Sequence, residues 1–87
     1  MDITKFKEIM NSDYNYTNRV KCNILTGLHI IDKYCPGKGL ESAEHDIVYS
    51  VEPYDLIGAG ISENDVYCLR NNGWFVDEEY DCLASFV

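Results

Sequence analysis

A helix with both ends marked stands between Ile61 and Gly73, and it constrains the fold more than any other feature. Ser62 is a good N-cap, because its hydroxyl can accept from an orphaned backbone N–H of the first turn. Asp65 follows three residues later as a short form of the capping-box acid, and Ile61 and Val66 hold the two positions of a hydrophobic staple. Glu63 and Asp65 favour the positive end of the helix dipole. Asn71-Asn72-Gly73 stops the helix, with Gly73 able to take the left-handed conformation that closes it. Trp74-Phe75-Val76 then starts a strand by its aromatic and β-branched content. Residues 82–87 read as another strand, and the short polar segment between the two predicts a hairpin.

The N-terminal part is helical in pattern. Ile3, Phe6, Ile9 and Met10 recur at helical spacing behind Asp2, a suitable N-cap, and Asn11-Ser12-Asp13 breaks the run. Thr17 or Asn18 can cap a second helix reaching Tyr34, with Val20, Ile24, Leu28, Ile31 and Cys35 on one stripe. Gly27 inside it costs about 1 kcal/mol relative to Ala, which a close helix–sheet contact would explain. Pro36 and its neighbouring glycines end this helix. Residues 47–51 read as a strand with Ile47, Tyr49 and Val51 on one face; Pro53 closes it, and 53–60 is expected to be a loop. The reading is a single α+β domain over 1–87, with a helical segment over 1–36 and a β-α-β-β segment over 43–87. Its order is α-α-β-α-β-β, with three helices on a three-stranded antiparallel or mixed sheet. The expected core is Val20, Ile24, Leu28, Ile31, Ile47, Tyr49, Val66, Leu69, Trp74 and Phe86.

Charge is uneven. Residues 1–40 hold six Lys/Arg against four Asp/Glu, a balance of +2, whereas residues 41–87 hold Arg70 against eleven acids, a balance of −10. Nucleic acids and anionic membrane surfaces are bound by basic faces, so direct binding to either is not expected. An acidic half attracts basic proteins. No apolar run approaches the ~18 residues of a membrane span, and no basic-then-apolar leader opens the sequence, so a cytoplasmic protein is expected. Cys22, Cys35, Cys68 and Cys82 lie inside hydrophobic patterns and read as reduced structural thiols.

Chemistry-bearing groups are sparse. His45-Asp46 is the one doublet of a His-Asp phosphohydrolase, but only His29 is left to complete a metal site. Cys22, His29 and Cys35 match no zinc spacing, and no Cys-x-x-Cys occurs. A Cys–His dyad of Cys68 or Cys82 with His45 has no electropositive neighbour to activate the thiol. Gly37-Lys38-Gly39 and Gly58-Ala59-Gly60 lack the spacing of a phosphate loop. No cofactor, metal or catalytic residue is therefore expected. The dense feature is Asp77-Glu78-Glu79-Tyr80-Asp81, an acidic turn without the calcium-loop pattern. With Trp74, Glu52, Tyr54 and Asp55 it forms the expected protein-binding site, the aromatics as anchors and the acids as the charged rim.

The pieces Glu44-His45-Asp46-Ile47-Val48-Tyr49, Ser62-Glu63-Asn64-Asp65, Leu69 through Trp74 and Asp77 through Asp81 resemble those of a group of small uncharacterised phage and mobile-element proteins. That resemblance spans residues 43–87 and implies no activity; Leu83 stands where an aromatic is frequent. By size and charge the chain also resembles acidic phage anti-defence inhibitors such as anti-CRISPR proteins. This implies a non-catalytic inhibitor, acting in a host cytoplasm on a basic protein such as a nucleic-acid-binding enzyme. Two alternatives stand beside it. One is a small metal-dependent or His-Asp hydrolase. The other is a structural or homo-oligomeric interaction protein with no inhibitory role, its apolar and potentially dimerising face supplied by the helical half with Tyr14, Tyr16 and the 20–31 segment.

Overall fold

The computed structural model describes residues 1–12, 23–44 and 46–86. α1 (Ile3–Met10) starts on Asp2, whose carboxylate accepts the Lys5 backbone N–H at 2.8 Å, and it buries Phe6, Ile9 and Met10. It stops where Ser12 donates its hydroxyl to the Ile9 carbonyl at 2.6 Å. α2 (Asn23–Tyr34) ends in a turn at Gly37, whose N–H donates to the Asp32 carboxylate at 2.9 Å and whose φ is +79°. The expected start of α2, Val20 and the Ile24 side chain lie outside the described residues. Gly27 does make the close contact its cost implies. A Cβ added there would stand 1.8 Å from Trp74 Nε1, so the indole lies directly on the helix backbone.

β1 (Ser42–Glu44) pairs antiparallel with β2 (Ile47–Tyr49), Ser42 opposite Tyr49 and Glu44 opposite Ile47. Beyond Tyr49 the ladder to the last strand is offset. The Ser50 N–H donates to the Leu83 carbonyl at 2.8 Å, while the Leu83 N–H donates to the Val51 carbonyl at 2.9 Å. Two residues thus face one, which is a β-bulge. It breaks the alternation that would have placed Val51 beside Tyr49, and Val51 is buried in the core instead.

Residues 53–60 are not a loop throughout. α3 (Pro53–Gly58) has its proline at the first helical position, where the missing N–H costs nothing. The Glu52 N–H donates to the Asp55 carboxylate at 3.2 Å across this first turn. The helix closes in a Schellman arrangement: Ile61 N–H to Leu56 carbonyl at 3.1 Å, Gly60 N–H to Ile57 carbonyl at 3.0 Å, and Gly60 at φ +86°. Ile61 and Leu56 meet in the core.

α4 (Glu63–Asn71) is capped as its sequence dictates. The Ser62 hydroxyl accepts the Asp65 N–H at 3.2 Å, Val66 and Leu69 are fully buried, and Gly73 sits at φ +87°. β3 (Trp74–Asp77) and β4 (Cys82–Phe86) form the expected hairpin. Among the described residues the sheet has four strands, not three, in the antiparallel order β1-β2-β4-β3, and there are four helices, not three. The order is therefore α-α-β-β-α-α-β-β. The α+β class and the pairing of the hairpin stand; the extra elements are β1 and α3.

The ladder register sorts the strand residues between two faces. Val48, Ser85 and Trp74 line up across β2, β4 and β3, and with Leu83 and Val76 they face the helices. That face closes on Phe6, Ile9, Met10, Ile31, Leu56, Ile61, Val66 and Leu69. Tyr49, Ala84 and Phe75 line up on the opposite face, as do Ile47 and Phe86. Phe86, expected in the core, is 66% exposed there, and Ile47 and Tyr49 are only half-buried.

Candidate protein-binding face

The 77–82 turn is held from within. Asp77 Oδ1 accepts the backbone N–H groups of Glu79, at 2.9 Å, and Tyr80, at 3.1 Å. Asp81 closes the turn at φ +52°, a left-handed conformation that Asp tolerates better than most residues. The four acids expected to act alike therefore have different jobs. Asp77 organises the turn, Glu78 pairs with Lys7 on α1 at 3.3 Å, and Glu79 and Asp81 project to solvent. Tyr80 folds back over the sheet, its ring edge-on to Tyr49 with centroids 5.3 Å apart.

A groove of about 380 Å³ lies beside this pair, lined by Glu41, Ser42, Tyr49, Ser50, Tyr80 and Cys82. The Cys82 thiol is raised above its ordinary pKa first by burial, then by the charge of Asp77 and, less, those of Asp81 and Glu52; a backbone hydrogen bond at Ser50 works the other way. A shift in this direction favours the protonated thiol over the nucleophilic thiolate. Along the same sheet face, Phe75 and Phe86 pack with centroids 5.2 Å apart. The face is thus an apolar band of Ile47, Tyr49, Phe75, Ala84 and Phe86 with the acidic turn at one end.

The expected site residues separate. Glu52 joins the turn by way of Cys82, and Tyr80 belongs to the groove. Tyr54 is exposed on α3, while Asp55 caps that helix and borders a second groove of about 320 Å³ with Tyr34, Cys35, Pro36, Lys38 and Ala59. Trp74 is a correction: it is only 2% exposed, packed on Gly27, and cannot anchor a partner. Phe75 and Phe86 are the aromatics this face offers instead. The signal for Phe75 was in the sequence, since strand alternation puts it opposite to Trp74.

Comparison with protein-family models, with curated proteins and with solved structures finds no match.

Two ion pairs tie α4 to the N-terminal helices. Lys5 pairs with Glu63 at 3.6 Å, and Lys33 with Asp65 at 3.1 Å. Asp65 also accepts a hydrogen bond from the Tyr34 hydroxyl, whose oxygen in turn takes the Ser62 N–H at 3.3 Å. The Tyr34 hydrogen bond is the largest reason the Asp65 carboxyl is held below the usual range; burial opposes it, and Lys33 and Ser62 add to it. By contrast, among the described residues no ion pair reaches Glu41, Glu52, Glu79 or Asp81. Of the groups considered for chemistry, Asp46 is exposed in the β1–β2 turn, His29 is exposed on α2, and Cys22 and His45 lie outside the described residues. Among the described residues no three His, Cys, Asp or Glu side chains are placed to share a metal ion, and no helix is long and apolar enough to cross a membrane.

Proposed function

We propose that this chain is a non-catalytic binding protein whose acidic sheet end docks on a basic surface of another protein. The observation that carries the reading is the segregation of charge. Residues 41–87 carry a balance of −10, and among the described residues only Lys7, paired with Glu78, reaches the acidic turn, while Glu41, Glu52, Glu79 and Asp81 have no ion pair on the sheet side of the molecule. Protein interfaces combine an aromatic centre with a polar rim. The resemblance in size and charge to phage anti-defence inhibitors supports a nucleic-acid-binding enzyme as the target, its channel blocked by carboxylates standing in for phosphates.

Binding of this kind is fast and weakens as salt rises. The test is capture from a bacterial lysate with the wild type and with Glu78→Gln/Glu79→Gln/Asp81→Asn, which spares the Asp77 that holds the turn. The wild type should retain a basic protein at low ionic strength, the variant should lose it, and the captured protein should lose nucleic-acid binding when the wild type is added. Recovery of the same partners by the variant, and at high salt, would reduce the acidic turn to a solubilising surface.

A further inference from the structure

Asn72 is the one asparagine of the chain that is followed by glycine. In such a step the glycine nitrogen can attack the side-chain amide carbon of the asparagine, because glycine has no Cβ to hinder the approach. The N–H proton passes to solvent, a new bond from nitrogen to Cγ closes a succinimide ring, and the side-chain nitrogen leaves as ammonia. Water then opens the ring at either carbonyl and leaves aspartate or isoaspartate. Nothing is oxidised or reduced, and water is the only co-reactant.

The fold keeps the reacting groups apart. Asn72 has ψ 16°, so the Gly73 nitrogen is nearly eclipsed with the nitrogen of Asn72 itself, whereas ring closure needs it eclipsed with Cβ. Both nitrogens of the reaction are also held: the Gly73 N–H donates to the Arg70 carbonyl at 3.1 Å, and Asn72 Nδ2 donates to the Cys68 carbonyl at 2.7 Å. Asn72 is only 6% exposed, which keeps out the water and base that the reaction needs. Rotation about its ψ is blocked downstream, because Trp74 begins β3 and is packed on Gly27.

The products do not fit the same place. A carboxylate at position 72 would turn an acceptor toward the Cys68 carbonyl, which now receives a donor. The other side-chain oxygen, Oδ1, is already buried without a hydrogen-bond partner among the described residues, so nothing there would satisfy a charge. Isoaspartate would add a methylene to the backbone between α4 and β3 and displace Trp74 from Gly27. We propose that Asn72-Gly73 is a latent self-modification site: the α4–β3 junction blocks the step in the native chain, unfolding opens it, and its product hinders return to the native state. The junction thus makes the chemical lifetime of the chain depend on its folding.

The test incubates the full chain in mildly alkaline buffer, with and without guanidinium chloride above the unfolding midpoint. Peptide mass mapping reads amide-to-acid conversion at each asparagine, and chromatography separates the isoaspartate form. In denaturant, position 72 should convert fastest, ahead of Asn11-Ser12, where the next residue is small but not glycine. Without denaturant its conversion should be roughly a thousandfold slower, the low end of folded-to-unfolded ratios for small domains. Once denaturant is removed, unmodified chains should refold to the compact form, and chains modified at position 72 should elute from size exclusion as expanded species. Gly73→Ala, compared in denaturant where folding plays no part, should slow the conversion. Asn72→Asp, which makes the unrearranged product directly, should unfold at a lower denaturant midpoint than the wild type. Equal conversion at position 72 with and without denaturant would overturn the proposal. So would indifference to Gly73→Ala in denaturant, or modified chains that refold with the wild-type midpoint.

Discussion

The contact between Gly27 and Trp74 makes a sharp prediction for Gly27→Ala. On an exposed helix that change stabilises by about 1 kcal/mol, through helix propensity. Here the new methyl would stand 1.8 Å from Nε1, 2.4 Å from Cε2 and 2.6 Å from Cδ1 of the indole. Ordinary contact needs about 3.5–4.0 Å, so ring and helix must separate by more than an ångström. The ring has little room to give, because Trp74 is 2% exposed and its strand is paired to β4 along its length. Overpacking a filled core costs typically 1–3 kcal/mol and occasionally more. An overlap this deep belongs at or beyond the upper end, so after the propensity gain the net loss should be about 2 kcal/mol. For a domain of this size that lowers Tm by roughly 8–16 °C. The assay reads the contact directly, because Trp74 is the only tryptophan in the chain. Urea unfolding followed by its fluorescence should show a lower midpoint, and native emission should shift to the red as the indole is levered from the core. A variant as stable as the wild type, with unchanged emission, would refute the reasoning.

Two further outcomes follow from the same structure. Asp65 has its folded-state pKa depressed by Tyr34, Lys33 and Ser62, so its stabilisation is complete above the unfolded carboxyl value of about 3.9 and is lost as pH falls through the folded value. Urea midpoints measured from pH 7 to pH 2 should thus fall less steeply at the acid end for Asp65→Asn than for the wild type, and parallel curves would contradict the pairing. Asp77→Ala removes two turn hydrogen bonds and should cost about 1–3 kcal/mol, whereas Glu79→Gln with Asp81→Asn should stay within about 0.5 kcal/mol, both read by thermal unfolding.

What was legible in the chain was local and chemical. The Ser62 cap, the Asp2 cap and the Asn11-Ser12 break each rest on a side chain satisfying a nearby backbone group, the Gly73 stop rests on a left-handed backbone, and each is found. Gly27 was legible through its cost. The misses share a different cause. Pro53 can end a strand or begin a helix equally well by its own chemistry, and the Glu52–Asp55 contact decides for the helix. β1 is three residues without alternation, so only its partner defines it. The bulge at Ser50 and Val51 depends on where Leu83 lies, which no local pattern records. The same limit governs the candidate site. The acidic turn was visible, but whether Trp74 or Phe75 faced the helices depends on which side of the sheet they cover. The groove requires Glu41 and Tyr49 to meet residues some thirty to forty positions away.

The strand order carries a consequence for how the molecule holds together. Among the described residues β4 is the only strand that touches both β2 and β3; without it the sheet is reduced to one ribbon, β1–β2 with three facing pairs, and a lone strand β3. Isolated ribbons of that size are marginal in water. The β1–β2 and β3–β4 ribbons are separated in the chain by α3 and α4, so their union closes a long loop whose entropy is recovered only when β4 is seated. The five residues of β4 therefore act as the keystone of the sheet. Deleting them should abolish not one edge but the whole domain, and splitting the chain near Gly60 should yield two pieces that are structured only when mixed.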